Sequence, residues 1–195
     1  MSIQKITLSI LAAAFLNPAW ATVCSSKDAA DIIRIFAHGI ELNEQFEQSV
    51  NAGDEVRYRI LRKQVEQYGE NTAVPCMRRA EVLLRKRYDR ALMHKLMEFT
   101  ISNENSADET ISMVMANVFI MYPKELEKEF LRFTLEQKKI LLKSIEDGLL
   151  SVERPLSAAQ RRNLERHLRL LRESVAKQLN GLAQAEASKR HGGNL

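Results

Sequence analysis

Few side chains in this sequence have the type and spacing that metal binding requires. The four histidines stand at positions 38, 94, 167 and 191, and none pairs with a second histidine or a carboxylate at a zinc-site spacing such as H-E-x-x-H. Met93, His94 and Met97 lie within about one helical turn and offer the soft ligands that Cu(I) prefers. The arrangement occurs once, however, and methionine is a common filler of hydrophobic cores. The sequence therefore predicts no metal and no cofactor.

Catalytic motifs are equally scarce. Glu125 and Glu129 are spaced to share one helix face, but Lys124 and Lys128 accompany them, as on an ordinary exposed helix. A glycosidase needs one carboxyl group in an apolar pocket and a second across the sugar, and spacing alone locates no such pair. The sequence has no G-x-S-x-G elbow and no P-loop. We therefore expect a protein that is not an enzyme; a hydrolase without a recognisable motif is the alternative.

Cys24 and Cys76 are the two cysteines of the chain. Both lie near predicted helix starts, and there is no C-x-x-C motif of the kind that thiol–disulfide catalysis uses. We predict a structural disulfide that ties the N-terminus to the third helix.

The first 21 residues have the composition of a cleaved signal peptide. Lys5 precedes an apolar run over 6–16 that is about as long as a signal-peptide core and too short to span a bilayer. Ala19-Trp20-Ala21 supplies the small residues that a signal peptidase reads. We expect cleavage after Ala21 and export to the bacterial periplasm, without a stable membrane anchor; an uncleaved anchor is the alternative. Cleavage lowers the net charge of +4 by one, and so mild a charge does not indicate a nucleic acid partner.

Helical periodicity recurs through the rest of the chain, and no stretch alternates apolar and polar residues as a strand would. We predict an all-α, single-domain helical bundle of about six to seven helices over 22–184 and a disordered tail over 185–195. The helix that contains Met113 and Phe119 is apolar nearly all round, so we expect it at the centre of the core. Helices are expected to begin at capping residues or prolines: Ser25, Asp54, Pro75, Ser106, Pro123, Thr134 and Ser157.

The apolar spacing also predicts which residues individual helices bury. The second helix should bury Val56 and Ile60, and the third should run from Pro75 toward Phe99. The last helix carries an apolar stripe at Leu164, Leu168, Leu171, Val175, Leu179 and Leu182. We expect this stripe to pack within the bundle; a seam between the two copies of a homodimer is the alternative.

Basic residues cluster along the third helix and just beyond it. The candidate partner-binding basic face comprises Arg78, Arg79, Arg85, Lys86, Arg87 and Arg90. Such a face favours an acidic partner or an anionic surface. The alternative is a solvated helix face paired with acidic neighbours, for which Glu41, Glu44 and Glu47 on the first helix are candidates.

Two seven-residue segments share a pattern of an apolar residue, a hydroxyl, two variable positions, glutamine and two bases. They are FTLEQKK over 133–139 and LSAAQRR over 156–162. The pattern resembles the L-T-x-x-Q motif of the Spy/CpxP family of helical periplasmic chaperones and stress regulators. The resemblance implies a curved helical dimer whose concave, basic and apolar surface holds unfolded clients. The Thr/Ser-x-x-Gln spacing is also that of a helix capping box.

Together these observations favour an exported helical protein that acts by binding another protein. We rank an immunity- or inhibitor-type binder of one dedicated partner first, because compartment and size suit it. A Spy/CpxP-like chaperone or stress regulator is the alternative.

Overall fold

The computed structural model describes residues 24, 26, 28–104, 108–152 and 155–192, and it describes no side chains beyond residue 185. In this part of the chain there are eight α-helices, one five-residue π-helix and no strand, which confirms the all-α prediction. The elements are α1 (Ala29–Asn51), α2 (Glu55–Tyr68), the π-helix (Gly69–Ala73), α3 (Val74–Lys86), α4 (Arg90–Ser102), α5 (Glu109–Met121), α6 (Pro123–Phe130), α7 (Leu135–Leu150) and α8 (Ala158–Gly192). Because α2, the π-helix and α3 are continuous, the described residues form seven separate helical segments, in agreement with the prediction. The predicted signal peptide, Ser25 and Ser106 lie outside the described residues.

Several helices begin at the predicted capping residues. The Asp54 side chain accepts a hydrogen bond from the Arg57 amide at 3.0 Å and caps α2. Thr134 and Gln137 form a reciprocal capping box at the start of α7, and Ser157 and Gln160 make the same pair of bonds at the start of α8. These bonds satisfy amides that a helix start otherwise leaves without a partner. The hydroxyl and glutamine of both L-T-x-x-Q-like segments are therefore used to start helices.

The N-terminal boundaries of α1 and α4 differ from the predictions. Ser25 was expected to cap α1, but Asp28 is the cap, since its side chain accepts from the Asp31 amide. The prediction of one helix from Pro75 toward Phe99 was wrong. The chain becomes extended at Arg87, and the Asp89 side chain accepts from the Leu92 amide at 3.0 Å to start α4. A short acidic side chain that bonds the backbone in this way favours a helix start over a helix interior.

The burial predicted for α2 was also wrong. Val56 and Ile60 are 73% and 55% exposed, whereas Leu61 is 6% exposed and packs against the bundle. Gly69 does not end the helical run, because the π-helix carries the chain directly into α3. Helix α2 therefore attaches to the bundle by a narrow face against α1.

Helix α5 lies at the centre of the core, as predicted. It packs on α3, α4, α6 and α7, and its closest approach is to α7. Gly148 of α7 makes this approach possible, since a Cβ there would lie 2.0 Å from the Ser112 carbonyl oxygen and 2.8 Å from the Ala116 Cβ. The fully buried residues around α5 include Met93, Met97, Phe99, Phe119, Leu126 and Phe130.

The first half of α8 packs on α6 and α7 through Leu164, Leu171 and Val175. This agrees with packing of the stripe inside the bundle. Leu179 and Leu182 continue the stripe but are 42% and 56% exposed, so the homodimer seam remains a prediction for that end. The predicted tail over 185–195 overlaps the last turns of α8, whose backbone is helical through Gly192.

Among the described residues, no helix combines the length and apolar character of a membrane span.

Candidate functional site

The disulfide between Cys24 and Cys76 is present, with 4.8 Å between the two Cα atoms, and it confirms the predicted link from the N-terminus to α3. Cys76 is 2% exposed, so one side of the bond lies in the core. A second contact supports the link, because Arg79 Nε donates to the Ser26 carbonyl at 3.3 Å. One of the six predicted partner-binding basic residues therefore positions the N-terminal segment.

Two further members of the predicted basic face form internal ion pairs. Arg85 bonds to Glu81 at 2.7 Å within α3, and Arg90 bonds to Glu129 of α6 at 2.5 Å. The remaining three, Arg78, Lys86 and Arg87, are exposed and have no ion pair with the residues that the structure describes. The part of the predicted face without an ion pair is thus reduced to these three side chains around Val82, which is 42% exposed, although Arg85 and Arg90 are also more than half exposed.

Glu129 is a buried carboxylate that the sequence reasoning placed on an exposed face. Its side chain is 4% exposed, and Arg90 donates to its Oε1 at 2.5 Å. Arg132 Nη1 and His94 Nδ1 lie 3.5 and 3.3 Å from its Oε2, close enough for ion pairing when the imidazole is protonated. The Phe133 ring stacks on that imidazole with 5.2 Å between centroids. This cluster joins α4 to α6. It surrounds the buried Glu129 carboxylate with basic side chains, so the burial of this charge has a structural role.

The soft-ligand arrangement of Met93, His94 and Met97 is not a joint site. Both methionines are fully buried in the core, while the His94 imidazole lies between Glu129 and Glu98, 3.3 and 3.4 Å from their oxygens. In the part of the chain that the structure describes, no group of three or more His, Cys, Asp or Glu side chains is placed to hold a metal ion.

One concave surface, the α1–α2 groove, has a volume of about 770 Å³ and lies between α1, α2, the π-helix and the end of α4. Its apolar lining consists of Phe46, Val50, Val65 and Val74. Its charged lining consists of Glu47, Glu66, Glu70, Asp108 and Arg62. The lining of the groove therefore combines apolar side chains with four carboxylates and one guanidinium.

The α1–α7 groove, of about 480 Å³, lies along the next stretch of α1 and is bounded by α4 and α7. Ile40, Ile101 and Ile140 line it, together with Glu44, Glu47, Glu98, Glu104 and Lys95. The two grooves share Asn43, Glu47 and Ser102. Asn43 Nδ2 donates to the Ser102 carbonyl at 2.9 Å, and this bond fixes α1 to α4 where the grooves meet. The two grooves therefore adjoin each other, and together they are the surface along α1.

The charges of this surface are unbalanced. The two cations in its lining pair with carboxylates of the same lining, because Arg62 bonds to Glu66 at 2.8 Å and Lys95 lies 2.5 Å from Glu98. Among the described residues, no cation pairs with four of its carboxylates, Glu44, Glu47, Glu70 and Glu104. Glu44 and Glu47 were candidate partners of the basic residues, but they form no ion pair with them among the residues that the structure describes. The surface thus presents an uncompensated negative charge beside apolar side chains.

The π-helix shapes one end of the α1–α2 groove, since Gly69, Glu70 and Val74 all line it. Just before it, the Tyr68 hydroxyl donates to the Ile35 carbonyl at 2.9 Å and anchors α2 to α1. Burial raises the pKa of Tyr68 above its usual 10.0. A π-helix inside an α-helical run is often found at functional positions, because it re-aims the side chains that follow it.

The raised pKa of Tyr68 predicts a loss of stability in alkali. The folded state favours the neutral phenol, so this contribution is fully present below the unfolded pKa of about 10 and is lost as the pH rises through the folded pKa. Burial and the charge of Glu129 also raise the pKa of Tyr88, so two tyrosines contribute. Tyr68→Phe should lower the free energy of unfolding by about 1 kcal/mol at neutral pH, because a hydrogen bond is lost. The variant should also lose less stability than the original protein as the pH rises above about 10. Urea midpoints between about pH 8 and 12 test this; equal pH slopes for the two proteins would contradict it.

No protein-family model, no curated protein and no solved structure matches the chain. The resemblance to the Spy/CpxP family therefore rests on the two seven-residue segments alone.

Proposed function

We propose that this chain is an exported helical protein that acts in the periplasm by binding one protein partner along α1. The observation that carries the proposal is the surface of two adjoining grooves, about 770 and 480 Å³, in which apolar side chains accompany four carboxylates without a cationic partner among the described residues. The predicted signal peptide supports the compartment. The Cys24–Cys76 bond supports it as well, because structural disulfides persist mainly in oxidising compartments.

The lining residues favour binding over catalysis. The described linings of both grooves contain no histidine and no cysteine, and their one hydroxyl belongs to Ser102. That hydroxyl donates to the Phe99 carbonyl at 3.0 Å, so no base activates it. A nucleophile needs such a base within hydrogen-bond reach. A hydrolase of the serine or cysteine type therefore finds no nucleophile–base pair among the described residues of these grooves.

A dedicated partner, of the immunity or inhibitor type, suits this surface better than the Spy/CpxP-like alternative. The resemblance implies a client surface that is basic and apolar. The grooves described here combine apolar side chains with acidic ones. The basic residues without an ion pair, Arg78, Lys86 and Arg87, lie on and just after α3, where they adjoin the exposed side chain of Val82. Unpaired charge therefore accompanies seven apolar lining residues along α1, whereas on α3 it accompanies Val82.

Photocrosslinking in the producing cells tests the proposal. Val50 in the groove and Val82 beside the basic residues are both valines on exposed helix surfaces, 50% and 42% exposed, so they form a matched pair of positions. A photoreactive phenylalanine analogue at position 50 should yield one discrete adduct, and the analogue at position 82 should not. The adduct should persist when Arg78, Lys86 and Arg87 are replaced with glutamine. An adduct from position 82 alone, or from neither position, would contradict the proposal.

A further inference from the structure

On the premise of the proposed function, we infer that the surface along α1 binds a cationic amphipathic helix of the partner protein. Two observations carry the inference: the grooves run between helices and are lined by apolar side chains, and the carboxylates beside those side chains lack cations.

The shape of the surface selects a helix. The lining follows α1 from Ile40 to Asn51, a distance of about 17 Å at the rise of an α-helix. A docked helix of about three turns has this length. The surface lies between α1 and its neighbouring helices, and an amphipathic helix in such a groove lays its apolar face against the lining. No described element is a strand, so the described residues offer no sheet edge to an extended peptide.

The charges select a cationic helix. Glu44 and Glu47 belong to α1, Glu70 to the π-helix and Glu104 to the turn after α4, so the unpaired carboxylates come from three places around the apolar lining. Lysine and arginine have apolar stems and charged ends, so they can cover apolar side chains and still reach exposed carboxylates. Complementary charges of this kind steer encounter and set specificity. An anionic peptide or an anionic membrane would be repelled.

The exposed end of α8 from a second copy of this chain would fit the surface along α1 less well than a cationic helix. The exposed large apolar side chains described there are Leu179 and Leu182, and two leucines bury far less than the roughly 1,200 Å² that a stable interface needs. Self-association is nevertheless a distinct outcome of the crosslinking experiment, because the adduct would then consist of this chain alone.

A direct test uses a synthetic three-turn helical peptide of lysine and leucine, with the leucines on one face, and fluorescence anisotropy. The control peptide has the same composition in a scrambled order that destroys the apolar face. The groove variant replaces Glu44, Glu47, Glu70 and Glu104 with glutamine. The matched control variant replaces four exposed glutamates elsewhere, Glu55, Glu136, Glu165 and Glu173, and so has the same net charge.

We expect the amphipathic peptide to bind more tightly than the scrambled one and to weaken as salt screens the charges. Its Kd should rise by roughly tenfold or more in the groove variant and by less than twofold in the control variant. Val50→Asn should weaken binding severalfold, and Val82→Asn should leave it unchanged. Circular dichroism of all variants checks that each is folded.

The outcomes separate the two proposals. Equal losses in the groove and control variants, or equal binding of both peptides, would overturn the inference, because net charge alone would then attract the peptide. No peptide binding, with a partner adduct at position 50, would overturn the cationic helix and leave the proposed function standing. Selective peptide binding without a partner adduct would support the inference that the surface along α1 binds a cationic helix, and it would contradict the proposed function. An adduct made of two copies of this chain would overturn both.

Discussion

Gly148→Ala is expected to lower the free energy of unfolding by about 3 kcal/mol, through overpacking between α5 and α7. The new Cβ would lie 2.0 Å from the Ser112 carbonyl oxygen and 2.5 Å from its carbon. Both are backbone atoms, so no side-chain rotation relieves the clash and the two helices must move apart. Because α5 is the central helix, this movement also disturbs its packing on α3, α4 and α6.

Gly181→Ala is the matched control for this effect. Gly181 lies in α8, and a Cβ there would meet no heavy atom within 4 Å. Alanine is a better helix former than glycine by up to about 1 kcal/mol, so this variant should be slightly more stable than the original protein. Urea denaturation followed by far-ultraviolet circular dichroism measures both variants. Equal midpoints for the two variants would show that α5 and α7 do not approach as closely as described.

Removal of the disulfide is the second large effect. Cys24→Ser together with Cys76→Ser opens a loop with a sequence separation of 52 residues, which in the chain-entropy account costs about 4 kcal/mol. For a chain of this size the corresponding fall in Tm is about 10 °C. The loop contains α1, α2 and the π-helix, so its release should also loosen the walls of the α1–α2 groove.

The reduced original protein is the natural comparison for the double variant. It should unfold at the same urea concentration as the double variant, since Arg79 and Ser26 still join α3 to the N-terminus in both. If the double variant were as stable as the oxidised original, the link between the N-terminus and α3 would make no contribution to stability.

Local features were predictable from the sequence, because a few neighbouring residues decide them. Asp54, Thr134 and Ser157 start helices through bonds to amides three residues away, and no tertiary contact is needed to recognise that chemistry. The break before α4 was missed because Tyr88 and Ala91 continue the apolar spacing of α3. The cap made by the Asp89 side chain outweighed that spacing.

Features that depend on the packing of distant helices were not predictable. The sequence does not show which face of α2 meets α1, so Val56 and Ile60 were assigned to the core although both are exposed. Glu129 has the spacing of a surface residue, and only the approach of α4 to α6 brings Arg90 to it. The surface along α1 requires α1, α2, α4 and α7 together, and its one sequence signal was the pair Glu44 and Glu47.

The central claim is that a protein partner binds along α1. Hydrogen–deuterium exchange tests it most directly. Exchange is measured for the chain alone and for its complex with the partner recovered by crosslinking at position 50. Amides over 40–51 in α1 and over 65–74 in α2, the π-helix and the start of α3 should exchange more slowly in the complex, because a bound partner suppresses local opening there. Slower exchange confined to 78–87, where the exposed basic residues lie, or no change along α1, would contradict the account.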